Sequence, residues 1–378
     1  MKILAAMDSF KGTLSSREAG NAVREGILSV CPGAEVTVRE LADGGEGTVK
    51  ALYRDSSVWV RRTVQDPLGR PVEASWLVNN GTAVMECASA IGLYLLSEEE
   101  RNPERASTYG LGEMIRYAVE DGIRSFVIGI GGSATNDCGA GMLCALGWRF
   151  LDEEGKEAEP CCTGLQRTVA VDASQVLPAL KECTFRIACD VNNPLYGERG
   201  AAAVFGPQKG ADPAMVERMD RTLKRFAELM CRYDPGCSPD DPGSGAAGGL
   251  GFAFRTFLHA ELVPGAQLIM QESGMEDEIR EADLIITGEG RMDAQTGMGK
   301  APASLALLAR KYGRPVVAIN GSMAPGAGSD LFAMCLSTVD EHTPQEEIMD
   351  PVCAYRRLAS TAAGMMLAFS EQNSRGSI

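Results

Sequence analysis

The sequence predicts an α/β fold with two α/β domains: a discontinuous Rossmann-like domain and a second domain, with a mixed sheet, inserted into it. Strands and helices alternate at both ends of the chain, a pattern typical of a parallel sheet covered by helices. Hairpin signals occupy the region between these ends, and hairpins require antiparallel strands. The length of 378 residues also exceeds the size at which a single hydrophobic core usually stops growing.

The N-terminal segment opens the Rossmann-like domain. Residues 2–7 are an apolar run that predicts a strand, and a serine-rich cap introduces a predicted helix at 17–30. Residues 34–41 alternate between polar and apolar side chains, which predicts a second strand. The glycine-rich turn at 42–48 then predicts the start of another helix.

The pattern changes between residues 58 and 85. Turn sequences at 66–69 (DPLG) and 79–81 (NNG) separate alternating stretches there, so we expect antiparallel strands. The inserted domain begins in this region and continues through buried strands expected at 126–130 and 185–189.

Alternation of strands and helices returns near the C-terminus, which predicts that this segment completes the first sheet. We expect the Rossmann-like domain to comprise residues 1–60 and 280–378 and the inserted domain to comprise residues 61–279. The active site is expected in the cleft between the two domains. The C-terminal elements expected are strands at 282–287, 315–320 and 333–338 and helices at 301–312 and 351–370.

Composition excludes several classes of partner. The net charge is -15, so the field of the whole protein repels nucleic acid and anionic lipid. The twelve cysteines include no Cys-x-x-Cys pair, which favours reduced thiols in a cytoplasmic protein over disulfides or a zinc site. No stretch approaches the roughly 18 apolar residues of a membrane span. We therefore expect a cytoplasmic protein with no nucleic-acid or membrane partner, and homodimer formation stays open.

Ligand-binding residue types follow the first strand. Asp8, Ser9 and Lys11 lie between this strand and the next helix, the position at which open α/β sheets bind ligands. Free amides at the start of the helix attract anions, and Lys11 adds a positive charge. A capped turn with a solvent-facing lysine is the structural alternative.

A glycine-rich segment follows the second strand in the same manner. Gly44 and Gly45 allow close approach of the backbone to a ligand, and Asp43 and Glu46 are suited to hydroxyl groups or a metal. A tight turn capped by Asp43 would explain one glycine but not the whole cluster.

A third loop follows the expected strand at 126–130. Gly131, Gly132, Ser133, Thr135 and Asn136 supply successive amides and hydroxyls, which form an anion-binding concavity suited to nucleotide phosphates. The loop matches neither a Walker sequence nor a dinucleotide fingerprint. A purely structural loop is the alternative.

Two further strand ends carry charged residues. Asp190, with Lys209 close behind, is suited to act as a general base or magnesium ligand, although an Asx-turn before a proline would also explain the aspartate. Near the C-terminus, Arg291 could clamp a carboxylate or phosphate, and Asp293 could bind Mg²⁺ or activate a hydroxyl.

The scarcity of histidine narrows the chemistry. Only His259 and His342 occur, and neither lies in a glycine-rich loop, which argues against Ser-His-Asp hydrolysis and histidine-ligated metal centres. Carboxylates, amides, lysine and arginine remain. Phosphoryl transfer uses this set because it depends on positioning and charge neutralisation.

These segments resemble the type 1 glycerate kinases, a family with two α/β domains, one of them Rossmann-like. The resemblance runs in order from residue 8 to residue 302, and its departures from the family pattern, at Met7, Asn192, Glu198 and Met292, remove no charged residue used above. The matching segments are DSFKGTLSS, ADGGEGT, GIGGSATND, ACDVNNPLYGERGAAAVFGPQKGA, PGSGAAGGLG and GRMDAQT with GKAP.

The resemblance implies phosphorylation of D-glycerate with ATP and Mg²⁺, most often at the 2-hydroxyl to give 2-phospho-D-glycerate. A glycerate 3-kinase, a kinase of another small hydroxy acid and, more remotely, a non-catalytic metabolite-binding protein are the alternatives. The predicted residues are, for catalysis, Lys11, Asp190, Arg291 and Asp293; for the substrate, Asp8, Ser9, Lys11, Asp43, Gly44, Gly45, Glu46 and Arg291; for the nucleotide, Gly131, Gly132, Ser133, Thr135, Asn136 and Lys209; and for metal, Asp190 and Asp293.

Overall fold

The structure is a computed structural model, and it alternates strands and helices as expected. It describes residues 1–10, 12–41, 47–234, 236–292, 301–324, 330–340 and 342–375, with the backbone alone at 370–375. The strands are β1 (Lys2–Met7), β2 (Glu35–Glu40), β3 (Val58–Gln65), β4 (Pro71–Asn79), β5 (Thr82–Glu86), β6 (Ser125–Gly129), β7 (Arg149–Leu151), β8 (Ala170–Asp172), β9 (Thr184–Ala188), β10 (Glu261–Val263), β11 (Leu284–Thr287), β12 (Arg291–Met292), β13 (Val316–Asn320), β14 (Ser322–Met323) and β15 (Met334–Ser337).

The helices range from single turns to the long C-terminal helix. In chain order they are α1 (Ser16–Val30), α2 (Thr48–Ala51), α3 (Ala88–Ile91), α4 (Tyr109–Glu120), α5 (Ala140–Ala145), α6 (Cys162–Leu165), α7 (Ala201–Phe205), α8 (Pro213–Tyr233), α9 (Ala246–Leu258), α10 (Gly265–Ser273), α11 (Met275–Glu281), α12 (Ala301–Lys311), α13 (Gln345–Met349) and α14 (Pro351–Arg375).

The chain divides into two compact units. Unit 1 comprises Met1–Asp43 and Ala266–Ile378, and unit 2 comprises Gly44–Gly265. The boundaries between the units therefore lie near residues 43 and 265. The sequence predicts them near residues 60 and 280. The second boundary lies earlier in the chain than predicted because α10 and α11 belong to unit 1, where Met270 and Ile279 are buried in a core cluster. The first boundary also lies earlier than predicted, because the start of α2 is bound to β5 of unit 2. Glu86 Oε1 of β5 accepts hydrogen bonds from the amides of Gly47 and Val49.

The sheet of unit 1 is parallel, with strand order β15-β13-β11-β1-β2. β1 is central and reads KILAAM, with all but its first residue buried, because a parallel strand covered on both faces needs a continuous apolar run. Its side chains alternate between two core clusters. Ile3 and Ala5 pack with residues of α1 and α14, whereas Leu4 and Ala6 pack with residues of α11 and α12. Helices therefore cover both faces, which confirms the Rossmann-like prediction.

The main sheet of unit 2 is mixed, with strand order β10-β9-β6-β5-β4-β3. Strands β10, β9, β6 and β5 are parallel, whereas β5-β4-β3 are antiparallel. The β4–β5 turn has positive φ at Asn80 and Gly81, as a two-residue type I′ hairpin requires. Phe126 of β6 and Phe185 of β9 stack with centroids 4.8 Å apart. The predicted hairpins and mixed sheet are confirmed.

The structure describes the state of the cysteines and the character of the helices. All twelve cysteines are free thiols; four are buried and eight are half-buried. Within the residues covered by the structure, no helix combines the length and the apolar character needed to cross a bilayer.

We predict that Gly26→Ala destabilises unit 1, because the backbone of α14 lies close to α1 at this residue. A Cβ at Gly26 would lie 2.0 Å from the backbone oxygen of Ala359. Overpacking typically costs about 1–3 kcal/mol, and the better helix propensity of alanine returns about 1 kcal/mol. We therefore expect a net loss of up to about 2 kcal/mol in urea unfolding.

Gly364→Ala is the matched control, because Gly364 also lies in a helix but has open space where a Cβ would be. We expect it to gain up to about 1 kcal/mol of stability. Equal effects of the two substitutions would contradict the tight contact between α1 and α14.

Candidate active site

Unit 1 contains a cavity of about 350 Å³ at the carboxyl ends of its strands. β2 lies on one side of β1 and β11 on the other, so the topological switch point, where open α/β sheets bind ligands, lies between β1 and β11. The lining residues come from the loops after β1, β11 and β13 and from the segment after β15 that leads into α14. They are Asp8, Ser9, Phe10, Thr13, Glu289, Gly290, Arg291, Gly321, Thr338, Val339, Glu347, Ile348, Met349, Ala354 and Arg357.

Backbone hydrogen bonds join the loops around this cavity. The Asp8 amide donates to the Gly288 carbonyl at 2.9 Å, which fixes the β1 loop beside the β11 loop. Asp8 Oδ1 in turn accepts a hydrogen bond from the Ser9 amide at 2.7 Å. The Glu289 amide donates to Asn320 Oδ1 at 3.1 Å, so the β11 loop is also tied to the end of β13. The polar residues that follow β1 and β11 are thus held together beside the unit 1 cavity.

Charged side chains of both signs line the cavity. Asp8 and Glu289 supply carboxylates, and Glu289 is only 6% exposed. Arg291 lies on β12, which pairs with β14, and Arg357 of α14 is paired with Glu347 of α13. Carboxylates can accept hydrogen bonds from hydroxyls, and guanidinium groups bind carboxylates in a fork. The arrangement suits a small hydroxylated anion.

The glycine-rich loop after β6 in unit 2 is held on two sides. On one side, Gly132 O accepts a hydrogen bond from the Leu93 amide at 2.9 Å, and on the other side the Cys138 amide donates to Gly248 O at 2.9 Å. A Cβ at Gly248 would lie 2.1 Å from Thr135 O, and φ there is +71°. The 246–249 segment therefore packs tightly on this loop and depends on glycine to do so.

Asp137 anchors the end of the same loop. Its buried carboxylate accepts hydrogen bonds from the Thr108 amide at 2.9 Å and the Thr108 hydroxyl at 2.8 Å. It also accepts from the amides of Gly139 at 3.2 Å and Gly141 at 3.1 Å. Burial raises the pKa of Asp137, and the four donated bonds oppose that rise. The role of this aspartate is to order the loop.

Lys209 lies beneath the loop and is 3% exposed. Its Nζ donates to Thr135 O at 2.7 Å and to Ser133 Oγ at 3.1 Å. Burial lowers the pKa of Lys209 from its ordinary 10.5 to about 8. Within the described part of the chain, Thr135 Oγ1 and both amide atoms of Asn136 are buried without a hydrogen-bond partner. A positive charge beneath partnerless polar groups suits an anionic ligand.

Asp190 follows β9 in unit 2 and is exposed. Its Oδ1 accepts a hydrogen bond from the Gly265 amide at 2.8 Å, at the start of α10. Asn193, in the following loop, accepts from the Gly245 amide at 2.9 Å through its carbonyl. This contact joins the 190–200 loop to the glycine-rich segment before α9. Capping of α10 accounts for one oxygen of Asp190; its catalytic role stays a prediction.

The structure places only some of the predicted residues. Asp8, Ser9 and Arg291 meet at the unit 1 cavity, and the 131–136 loop meets Lys209 in unit 2. Among the residues with described positions, no group of three or more metal-ligating side chains occurs. The predicted residues that lie outside the described ranges are Lys11, Asp43, Gly44, Gly45, Glu46 and Asp293.

Sequence reasoning missed the cavity residues Glu289 and Arg357, and it missed Asn320, which binds the Glu289 amide. Glu289 lies between a predicted strand and the segment GRMDAQT, and Asn320 ends a buried strand. Both positions follow the end of a strand or form it, so the sequence contained a signal for them. Arg357 lies in the long C-terminal helix without any motif around it. Nothing local in the sequence distinguishes it from its neighbour Arg356.

We predict that Lys209 makes stability depend on pH. Its pKa is lower in the folded chain, about 8, than its ordinary 10.5, so the unfolded chain binds the proton more tightly between these values. Stability therefore rises as pH increases through this window. The unfolding free energy of the wild type minus that of Lys209→Met should increase by roughly 2 kcal/mol between about pH 7.5 and 9.5.

Urea unfolding of both proteins at several pH values measures this difference, and the other titrating groups cancel in the subtraction. Lys209→Gln provides a second reference if the methionine variant folds poorly. A difference that stays flat with pH would contradict a buried, charged Lys209.

Comparisons with known proteins identify the family of the chain. The chain is 44% identical to a glycerate kinase of Bacillus subtilis (strain 168), covering 97% of this chain and 98% of that protein. It is 43% identical to a glycerate 2-kinase of Escherichia coli (strain K12), covering 96% and 98%. A crystal structure from Salmonella typhimurium LT2, assigned as glycerate kinase 2, superposes with a TM-score of 0.88 at 38% identity and covers 99% of both chains. The profile of the Glycerate kinase family matches residues 3–369, and the chain belongs to that family.

Proposed function

We propose that this chain is an ATP-dependent kinase that transfers a phosphoryl group to the 2-hydroxyl of D-glycerate, giving 2-phospho-D-glycerate. The observation that carries the proposal is the unit 1 cavity, where Asp8 and Glu289 face the same space as Arg291 and Arg357. A three-carbon hydroxy acid needs acceptors for its hydroxyls and cations for its carboxylate, and this cavity has both. The relatives named glycerate kinase support the choice of substrate.

The substrate occupies unit 1 in this proposal. Arg291 and Lys11 neutralise the carboxylate or the incoming phosphoryl group, and Asp8 and Ser9 orient the hydroxyls. Asp43, Gly44, Gly45 and Glu46 stay predicted substrate-binding residues on the ground of their residue types, and they lie outside the described residues. The cavity volume of about 350 Å³ lies at the lower end of the range for small-molecule sites, which suits a small acid with a phosphoryl group.

ATP binds through its phosphates to the glycine-rich loop of unit 2. Gly131 and Gly132 are exposed and offer backbone amides. Thr135 and Asn136, with buried partnerless polar atoms, and Lys209 beneath them fit an anion at this loop. The loop is held before ligand arrives by its contacts to Leu93 and Gly248, so little ordering is needed on binding.

Mg²⁺ fits the carboxylates that the chain offers. This ion commonly takes only one or two protein carboxylates together with substrate phosphates and water. Asp190 and Asp293 are the predicted ligands, and the cavity carboxylates of Asp8 and Glu289 form a second pair of the same kind. When bound, the ion neutralises charge on the transferring phosphoryl group.

The chemical step is an in-line displacement. The 2-hydroxyl oxygen of D-glycerate forms a bond to the γ-phosphorus as the bond to the β–γ bridging oxygen breaks, and ADP leaves with that electron pair. The hydroxyl proton passes to a carboxylate, for which Asp190 and Asp293 are the predicted acceptors. We place the reaction in the cytoplasm, where free thiols such as those of this chain persist.

We predict that the purified chain, incubated with ATP, MgCl₂ and D-glycerate, produces ADP and 2-phospho-D-glycerate. Phosphorus and carbon NMR of the product identify the phosphorylated carbon through its coupling to phosphorus. Product phosphorylated at C3 would replace the proposal with a glycerate 3-kinase. Turnover of other hydroxy acids in preference to glycerate would assign a different substrate, and binding without any turnover would favour the non-catalytic alternative.

A further inference from the structure

We propose that Arg357, in the C-terminal helix α14, is a second substrate-binding residue that recognises the carboxylate of the hydroxy acid. The inference rests on the proposed function and adds a residue to the substrate site that no motif of the sequence indicates. It also gives a direct binding role to the C-terminal segment of the chain, which otherwise serves to complete the core of unit 1.

Arg357 borders the cavity, and its guanidinium has donors that Glu347 does not use. Arg357 lines the cavity, and its side chain is 26% exposed. Nη2 donates to a carboxylate oxygen of Glu347. Nη1 is buried, and the described residues provide no hydrogen-bond partner for it. A guanidinium carries five N–H donors, and buried donors without acceptors are costly. Because Nη1 itself is covered, we infer that the guanidinium turns toward the cavity on binding, where a ligand carboxylate supplies the missing acceptor.

The helix holds this guanidinium in a defined place. Leu358, next in the chain, is fully buried in the core cluster that contains Ile27 of α1, and Ala359 packs against Gly26. The ion pair with Glu347 restrains the side chain between α13 and α14. A binding group on a rigid, packed helix loses little conformational entropy when the ligand arrives.

The charges around the cavity favour a carboxylate at Arg357. The described lining residues carry three carboxylates, on Asp8, Glu289 and Glu347, against two arginines. An anionic substrate in such surroundings needs direct pairing with a guanidinium to offset repulsion. Arg291 and Lys11 are assigned to the carboxylate or the incoming phosphoryl group, so a further cation at Arg357 allows the site to neutralise both anionic groups.

A purely structural role is the competing explanation: the pair between Arg357 and Glu347 would simply join α13 to α14. The two roles differ in what a substitution changes. A structural pair would alter stability and would affect all substrates alike. A carboxylate-binding arginine would alter the KM for glycerate, would leave the KM for ATP unchanged, and would not affect an uncharged analogue.

The test compares Arg357→Gln and Arg357→Lys with Arg356→Gln, which removes the adjacent, exposed arginine that does not line the cavity. Thermal melting of each variant checks folding. We expect Arg357→Gln to raise the KM for D-glycerate about 10- to 100-fold, the loss typical of a charge-assisted hydrogen bond. Arg357→Lys should show an intermediate rise because lysine keeps the charge but not the fork. Arg356→Gln should match the wild type.

Inhibition by D-glyceramide, which replaces the carboxylate with a neutral amide, gives the second readout. Its inhibition constant should be the same for the wild type and for Arg357→Gln. Unchanged KM for glycerate in Arg357→Gln, or an equal loss for glycerate and glyceramide, would overturn the inference while leaving the proposed function intact. Absence of glycerate turnover in the wild type would instead overturn the proposed function, and the inference with it.

Discussion

The pairing of β1 with β11 is the interaction on which the rest of unit 1 depends. It joins strands about 280 residues apart in the chain, with Ile3 opposite Leu284 and Ala5 opposite Ile286. The hydrogen bond from the Asp8 amide to Gly288 O continues this contact beyond the strands. Without it, the loop carrying Asp8 and the loop carrying Glu289 would not face one cavity. The site in unit 1 is thus a direct consequence of closing a parallel sheet from both ends of the chain.

The two units handle charge in different ways. Unit 1 places acidic and basic side chains together around its cavity. Unit 2 relies on backbone amides, hydroxyls and one lysine that is almost fully buried. Burying that charge is unfavourable by itself, as the lowered pKa of Lys209 reflects. An anion at the loop would offset this cost, so phosphate binding and the ionisation of Lys209 are linked.

Much of the fold was predictable because local signals agreed with the tertiary structure. The buried parallel strands are short apolar runs, and the NNG turn determines the β4–β5 hairpin. The strand-end loops were also predictable, since parallel strands deliver their following residues to one edge. The burial of Lys209 was not, because lysine is rarely buried and only the packing of the 131–136 loop over it creates the site. Arg357 was missed because the contact depends on how α14 packs against α1, which no helical pattern specifies.

The central claim is that the unit 1 cavity binds the acid and the unit 2 loop binds the nucleotide. Amide hydrogen exchange of the full chain with D-glycerate alone and with a non-hydrolysable ATP analogue alone tests this most directly. Glycerate should slow exchange in peptides covering 289–292 and 345–357, whereas the nucleotide should slow exchange at 131–138. Protection of 131–138 by glycerate, with no change at 289–292, would contradict the assignment.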